Sequence, residues 1–211
     1  MTDATSVRFH AVVALSLLET MQALDTPQQD DPEEVQRELV TKRLGTSRTV
    51  AQQISRYRAL AHNGGSVAAP DIASLLTLCS RRADADLLYA DAGRLAASHL
   101  LARPSPARSL HHAIPGMVGS GLAFRAVRRL ASDALALEVT TRVVAVRAVP
   151  SFARDSTPWA GKPCVFFGAA LGWLLTELTG FPGAVLHERC EHTGAKRCVW
   201  STDTLGEDDE T

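Results

Sequence analysis

The chain has 211 residues, 45% of them hydrophobic and 21% charged, with a formal net charge of −1. A chain of this length buries roughly 70% of its unfolded surface, so it needs no disulfide framework, and its four cysteines are too few to build one. The charge balance excludes a globally basic nucleic-acid binder and leaves only a local basic patch open.

Taken in chain order, Phe9 to Leu24 repeats apolar residues at three and four positions, which predicts a helix. A polar loop, Asp25 to Asp31, follows. Asp31 is placed to cap a second helix, with Pro32 at its first position, and Gly45 ends it. Ser47 caps a third helix to about His62, and Pro70 opens a fourth with Ile72, Leu75, Leu76 and Cys79 on one face. Asp84 to Leu101 is helical, the Arg103 to Pro106 stretch breaks the chain, and Ser109 to about Asp133 is helical again. The pattern then changes period. Leu135 to Val149 alternates apolar with polar or small residues, as one long strand or as a hairpin turning near Thr140 and Thr141. Phe166 to Leu178 reads as a buried helix, and Gly180 to Gly183 as a turn. Ala184 to Glu191 and Arg197 to Thr202 read as two strands. Helices first, then a small antiparallel sheet with an inserted Gly-faced helix, make the expected class α+β. Residues 205–211 are expected as an acidic, disordered tail.

No secretory pattern is visible. Val12 to Leu18 is apolar, but Arg8 and His10 precede it and Glu19 follows without a small-residue cleavage site. The most apolar run, Val165 to Leu175, is too short to span a bilayer. A cytoplasmic chain with reduced thiols is expected.

Three of the four cysteines fall between Cys164 and Cys198. Cys164 immediately precedes the buried helix. Cys190 and Cys198 stand equally far from Gly194 on the arms of the last hairpin, which sets them opposite each other. Three soft ligands in one place suit zinc, which takes four ligands in a tetrahedron. His187, Glu188, Glu191 and His192 are near enough in sequence to complete the set. In a regular strand, Glu188 and His192 share the face of Cys190, and His187 joins it only through a bulge. Buried hydrophobic cysteines, or a cross-strand disulfide in an oxidising compartment, are the other readings of the same spacing. Cys79 lies on an apolar helix face and reads as core.

The order Cys164, Gly168, Gly172, then Cys190, Gly194, Cys198 resembles the C-terminal signature of the 4-vinyl reductase domain family. Similar domains form the sensor modules of phenol- and xylene-responsive activators, and a related fold occurs in TRAPP vesicle-tethering subunits. The resemblance is specific over Cys164 to Trp200, weaker over Leu87 to Val149, and absent before about residue 80. It implies a ligand-binding domain over 81–204, preceded by a helical extension over 1–80 that packs on it or dimerises it. It also implies a structural zinc beside an enclosed pocket for a small, largely apolar molecule. Where the family usually has a carboxylate, three residues before the second Cys, this chain has His187. The implied metal set is therefore Cys164, His187, Cys190 and Cys198, with Glu188 as the alternative to His187.

Gly168 and Gly172 share one helix face, flanked by Phe166, Phe167 and Trp173. That face permits either tight packing or a cavity wall, and the resemblance favours the wall. Phe124, Trp159, Val144 and Val146 are further candidates for the lining. No dinucleotide fingerprint, phosphate loop or nucleophile elbow is present, so no catalytic constellation is expected. Two other functions stay in view. One is a part in tetrapyrrole (bacteriochlorophyll) biosynthesis, as for some family members. The other is a transcriptional regulator in which Arg37 to Arg58 forms a helix-turn-helix, with Arg48, Gln52, Gln53, Arg56 and Arg58 on the second helix. A homodimer is expected, with DNA as a minor candidate partner.

Overall fold

The computed structural model of the chain describes residues 7–26, 47–102, 117–142, 145–150, 163–190, 193–195 and 198–202. Within them, six helices and two antiparallel sheets make an α+β fold. The chain enters through a short strand, β1 (Arg8–His10), and turns into α1 (Val12–Asp25). Apolar periodicity extends this helix back to Phe9, but Arg8 to His10 instead pair with β2 (Ser66–Ala68). Phe9 faces Val67 in the core across this pair, and Arg8 donates from Nε to Ser66 Oγ at 2.7 Å and from Nη2 to the Ser66 carbonyl at 2.9 Å. α1 is buried on most of its circumference, with Val12, Val13, Leu15, Leu17, Leu18 and Met21 inside and Ser16 and Thr20 buried beside them. A helix of that kind belongs inside a core.

Ser47 caps α2 (Arg48–His62) as expected, its Oγ accepting the Val50 N–H at 3.2 Å. Pro70 and Asp71 lie in the first turn of α3 (Ala69–Ser80), where a missing N–H and a carboxylate are both favoured. α4 (Ala85–Ala102) follows, and its buried Tyr89 donates to the Leu76 carbonyl at 2.5 Å. Between α3 and α4, Arg82 reaches back to the end of α1. Its Nη1 and Nη2 clamp both Asp25 oxygens at 3.0 and 2.7 Å, and its Nε binds Asp84 at 2.8 Å.

After α5 (Met117–Leu135) the chain forms a hairpin of β3 (Leu137–Arg142) and β4 (Ala145–Pro150), with Arg142 opposite Ala145. Of the two arrangements open from the alternation, the hairpin is the observed one, linked at residues 143–144. α6 (Cys164–Thr179) then leads through Gly180 to β5 (Val185–Arg189) and β6 (Val199–Thr202). The sheet order is β3-β4-β6-β5, so the last hairpin inserts its second strand beside β4.

α4 and α6 approach each other at Gly93. A Cβ there would overlap the Phe166 carbonyl oxygen, a backbone atom that cannot step aside. Phe166, Phe167, Ala170, Leu171, Leu174 and Leu175 of α6 are buried. They share one core with Phe9, Leu17, Leu88, Val127 and Trp200. Residues 1–80, expected as an extension, thus supply α1 to the same core as residues 81–204. The expected helix between Asp31 and Gly45, the chain around His111 and His112, and the tail 205–211 lie outside the described residues. No described helix is long and apolar enough to cross a membrane.

Candidate metal centre

Cys164 is the first residue of α6, so its thiol sits at the positive end of the helix dipole, where a thiolate is favoured. β5 and β6 bring the other cysteines to it. Their register pairs Val185 with Thr202, Leu186 with Ser201 and His187 with Trp200, then shifts so that Arg189 faces Val199. Glu188 is the extra residue of a β-bulge, and the shifted register carries on to set Cys190 against Cys198. The turn between them is tied to one acceptor: the Cys190 carbonyl takes the Thr193 N–H at 3.1 Å and the Ala195 N–H at 3.2 Å. Gly194 sits there at φ +90°, a conformation that side chains with a Cβ avoid.

The bulge decides the fourth position. Residues 187 and 190 would point to opposite faces of a regular strand. With one residue inserted between them they share a face, and the His187 ring comes beside Cys190. The ligand atoms of Cys164, His187, Cys190 and Cys198 all lie within 4.8 Å of one another, and the group can hold a metal ion. Glu188 is not among them. It points away and accepts a hydrogen bond from Ser201 Oγ at 2.5 Å. Glu191 and His192, the other two candidates, lie outside the described residues.

The spacing suits a tetrahedral ion. Zn–S bonds of about 2.3 Å place two tetrahedral sulfurs about 3.8 Å apart. Cys164 Sγ lies 3.5 Å from Cys198 Sγ and 4.0 Å from Cys190 Sγ, on either side of that value. Cys164 and Cys198 are buried, Cys190 half-buried and His187 exposed. Without a cation the Cys164 thiol resists ionisation. The Cys198 contact, then burial, push the Cys164 thiol well above the usual range. A bound metal reverses this and displaces the thiol protons. On its other side the His187 ring stacks on Trp200, with centroids 5.1 Å apart and planes at 19°.

The residues expected to line a pocket fall in several places. Gly168 and Gly172 face the sheet. A Cβ on Gly168 would stand 3.2 Å from the Trp200 indole, and one on Gly172 would stand 3.5 Å from Val185. Phe166 and Phe167 are buried in edge-to-face contact at 5.2 Å, and Phe167 also meets Trp200 at 6.0 Å. Phe124 is half-buried against the core and Trp173 is exposed. Val146 lies in β4 opposite Thr141, while Val144 and Trp159 lie outside the described residues. Sequence reasoning missed Trp200, the residue that joins metal ligand to glycine face. It is buried, and its Nε1 has no hydrogen-bond partner among the described residues. The signal available was its place two residues after Cys198, on the same strand face. Comparison of the chain with protein-family models, with curated proteins and with solved structures finds no match.

Proposed function

We propose that the chain is a small-molecule-binding module of the 4-vinyl reductase type, clasped by a structural zinc ion on Cys164, His187, Cys190 and Cys198. The observation that carries the reading is the convergence of three thiols and one imidazole, from a helix start and both arms of a hairpin, within 4.8 Å. Three thiolates and an imidazole make a closed set of soft and borderline ligands, the usual composition of a structural zinc site. Such an ion leaves no open position for water. It fixes the start of α6 against the β5–β6 hairpin.

The step from clasp to binding module rests on the resemblance over Cys164 to Trp200. Two features support it. α6 carries the first metal ligand and, one turn on, the Phe166–Phe167 pair that joins Trp200. The Trp200 N–H, buried beside Gly168 without a partner among the described residues, is a polar handle for a ligand otherwise held by apolar contacts. The occupant is an aromatic or similarly apolar molecule with one hydrogen-bond acceptor.

Elemental analysis and native mass spectrometry of protein purified without chelator test both parts. About one zinc per chain, together with a small-molecule adduct or a thermal shift against a panel of aromatic hydrocarbons and tetrapyrroles, is expected. Less than about 0.2 zinc per chain with all thiols reduced overturns the metal. Zinc-loaded protein that carries no adduct and shifts with no member of the panel overturns the binding module.

A further inference from the structure

We infer that the outward face of α2 is a docking surface for double-stranded DNA. Each of the other five described helices carries at least one Asp or Glu, whereas α2 carries none against Arg48, Arg56, Arg58 and His62. At about 100° per residue, Val50, Ile54, Tyr57 and Ala61 fall on one side of α2, and all four are buried or packed against the core. Arg48, Gln52, Ser55, Arg56 and Ala59 fall on the opposite side, and all five are exposed. Arg48 to Arg56 spans about 12 Å of helix axis, close to the width of a B-DNA major groove. Within that length the face offers two guanidinium groups and one amide. Ser55 and Ala59 between them are small enough to let the helix approach closely.

The chemistry fits DNA in two respects. Guanidinium groups pair with phosphates, and they pair in bidentate fashion with guanine edges, as glutamine does with adenine. Arg58 has a different task. Its Nη2 binds Glu19 Oε1 at 2.6 Å, pinning α2 to α1, while His99 Nε2 lies 2.9 Å from the other Glu19 oxygen. The basic face is thereby held on a helix anchored to the core. The proposal is independent of the metal and of the pocket.

Fluorescence anisotropy with a labelled random duplex of about 24 base pairs, at 50, 100 and 200 mM salt, tests it. Saturable binding at the lowest salt is expected, weakening steeply as salt rises. The double variant Arg48→Ala, Arg56→Ala is expected to bind at least about tenfold more weakly, with a log–log salt slope smaller by about 2. Arg94→Ala on α4, an exposed arginine paired with Asp91, matches each single variant in the charge it removes and leaves binding unchanged. Each single variant is measured too, with far-UV circular dichroism, so that misfolding of the double variant does not decide the matter. No saturable binding at 50 mM salt, an unchanged double variant, or association with anionic lipid vesicles but not with the duplex each overturns the proposal.

Discussion

At the scale of single residues, the metal reading makes His187 and Glu188 behave in opposite ways although they are neighbours. His187→Ala removes one of four ligands and is expected to reduce bound zinc below about 0.2 per chain after dialysis. Glu188→Ala removes only a surface hydrogen bond to Ser201 and leaves zinc at its wild-type level. Elemental analysis of the two variants side by side checks this, and equal retention by both would show that the bulge does not select the imidazole. Cys190→Ser is expected to lower stability by about 3 kcal/mol or more, which is roughly 6–12 °C of Tm for a chain of this size. Cys79 behaves differently from the three clustered thiols. Burial pushes its pKa from 9.0 up to about 11. The folded state therefore holds this proton longer than the unfolded state does. The Cys79 contribution to stability is whole below pH 9 and is lost as pH rises through 11, by of order 2 kcal/mol. Denaturant melts at pH 8.5 and 10.5 are expected to show wild type losing stability relative to Cys79→Ala. A constant difference between the two proteins would contradict it. Much of this residue-level chemistry is legible in the sequence. The spacing about Gly194 sets Cys190 against Cys198, and with Cys164 close by it makes metal one of the readings open from sequence. The choice between His187 and Glu188 is not legible there, because it depends on one bulged residue, and bulges arise from how two strands settle against the rest of the sheet.

At the scale of elements, the helices and the two hairpins follow from local signals. Ser47 caps α2, Pro70 opens α3, and the alternation after Leu135 becomes the β3–β4 hairpin. What escapes local reading is where one element meets another. β1 and β2 are three residues each, too short for a period to show, and they pair where Phe9 meets Val67 in the core and Arg8 meets Ser66 at the surface. The contact of α4 with α6 hangs on Gly93, which the sequence marks only as a glycine inside a helix. Helix propensity alone predicts that Gly93→Ala stabilises the chain by about 1 kcal/mol. The structure predicts the reverse, because the new methyl meets the Phe166 backbone oxygen and α4 must move off α6. A loss of about 1–3 kcal/mol in a urea melt is expected, the usual cost of overpacking. Gly168→Ala is milder, since its neighbour at 3.2 Å is the Trp200 ring, which has a little freedom. Because that ring also stacks on His187, this variant is expected to weaken zinc retention slightly as well as stability. A Gly93→Ala protein as stable as wild type would show that the two helices are not held at this distance.

At the scale of the whole molecule, the question is whether the residues that carry the metal can fold by themselves. The resemblance sets a domain over 81–204, yet the core does not respect that boundary. Phe9, Val13, Leu15, Leu17, Leu18 and Met21 are at most 3% exposed, and they share a core with Phe167 and Trp200. Burying six such side chains contributes about 9–18 kcal/mol at 1.5–3 kcal/mol each, as much as the entire net stability of an ordinary domain, about 5–15 kcal/mol. Arg82 adds a second tie across the same boundary. Its fork holds Asp25, whose side chain is fully buried, so Arg82→Met takes the guanidinium away from a buried carboxylate and is expected to cost about 3–5 kcal/mol. No local pattern links Arg82 to Asp25, 57 residues away, which is why neither is legible as part of the framework. A chain beginning at residue 81 is therefore expected to lack a cooperative thermal transition and to bind a hydrophobic dye, with or without added zinc. Zinc can tie α6 to the last hairpin, but it cannot cover Phe167 of α6 where Phe9 packs on it, nor the face of α4 that α1 covers. A truncated protein that melts cooperatively and holds one zinc would restore 81–204 as an autonomous unit and reduce α1 to an accessory.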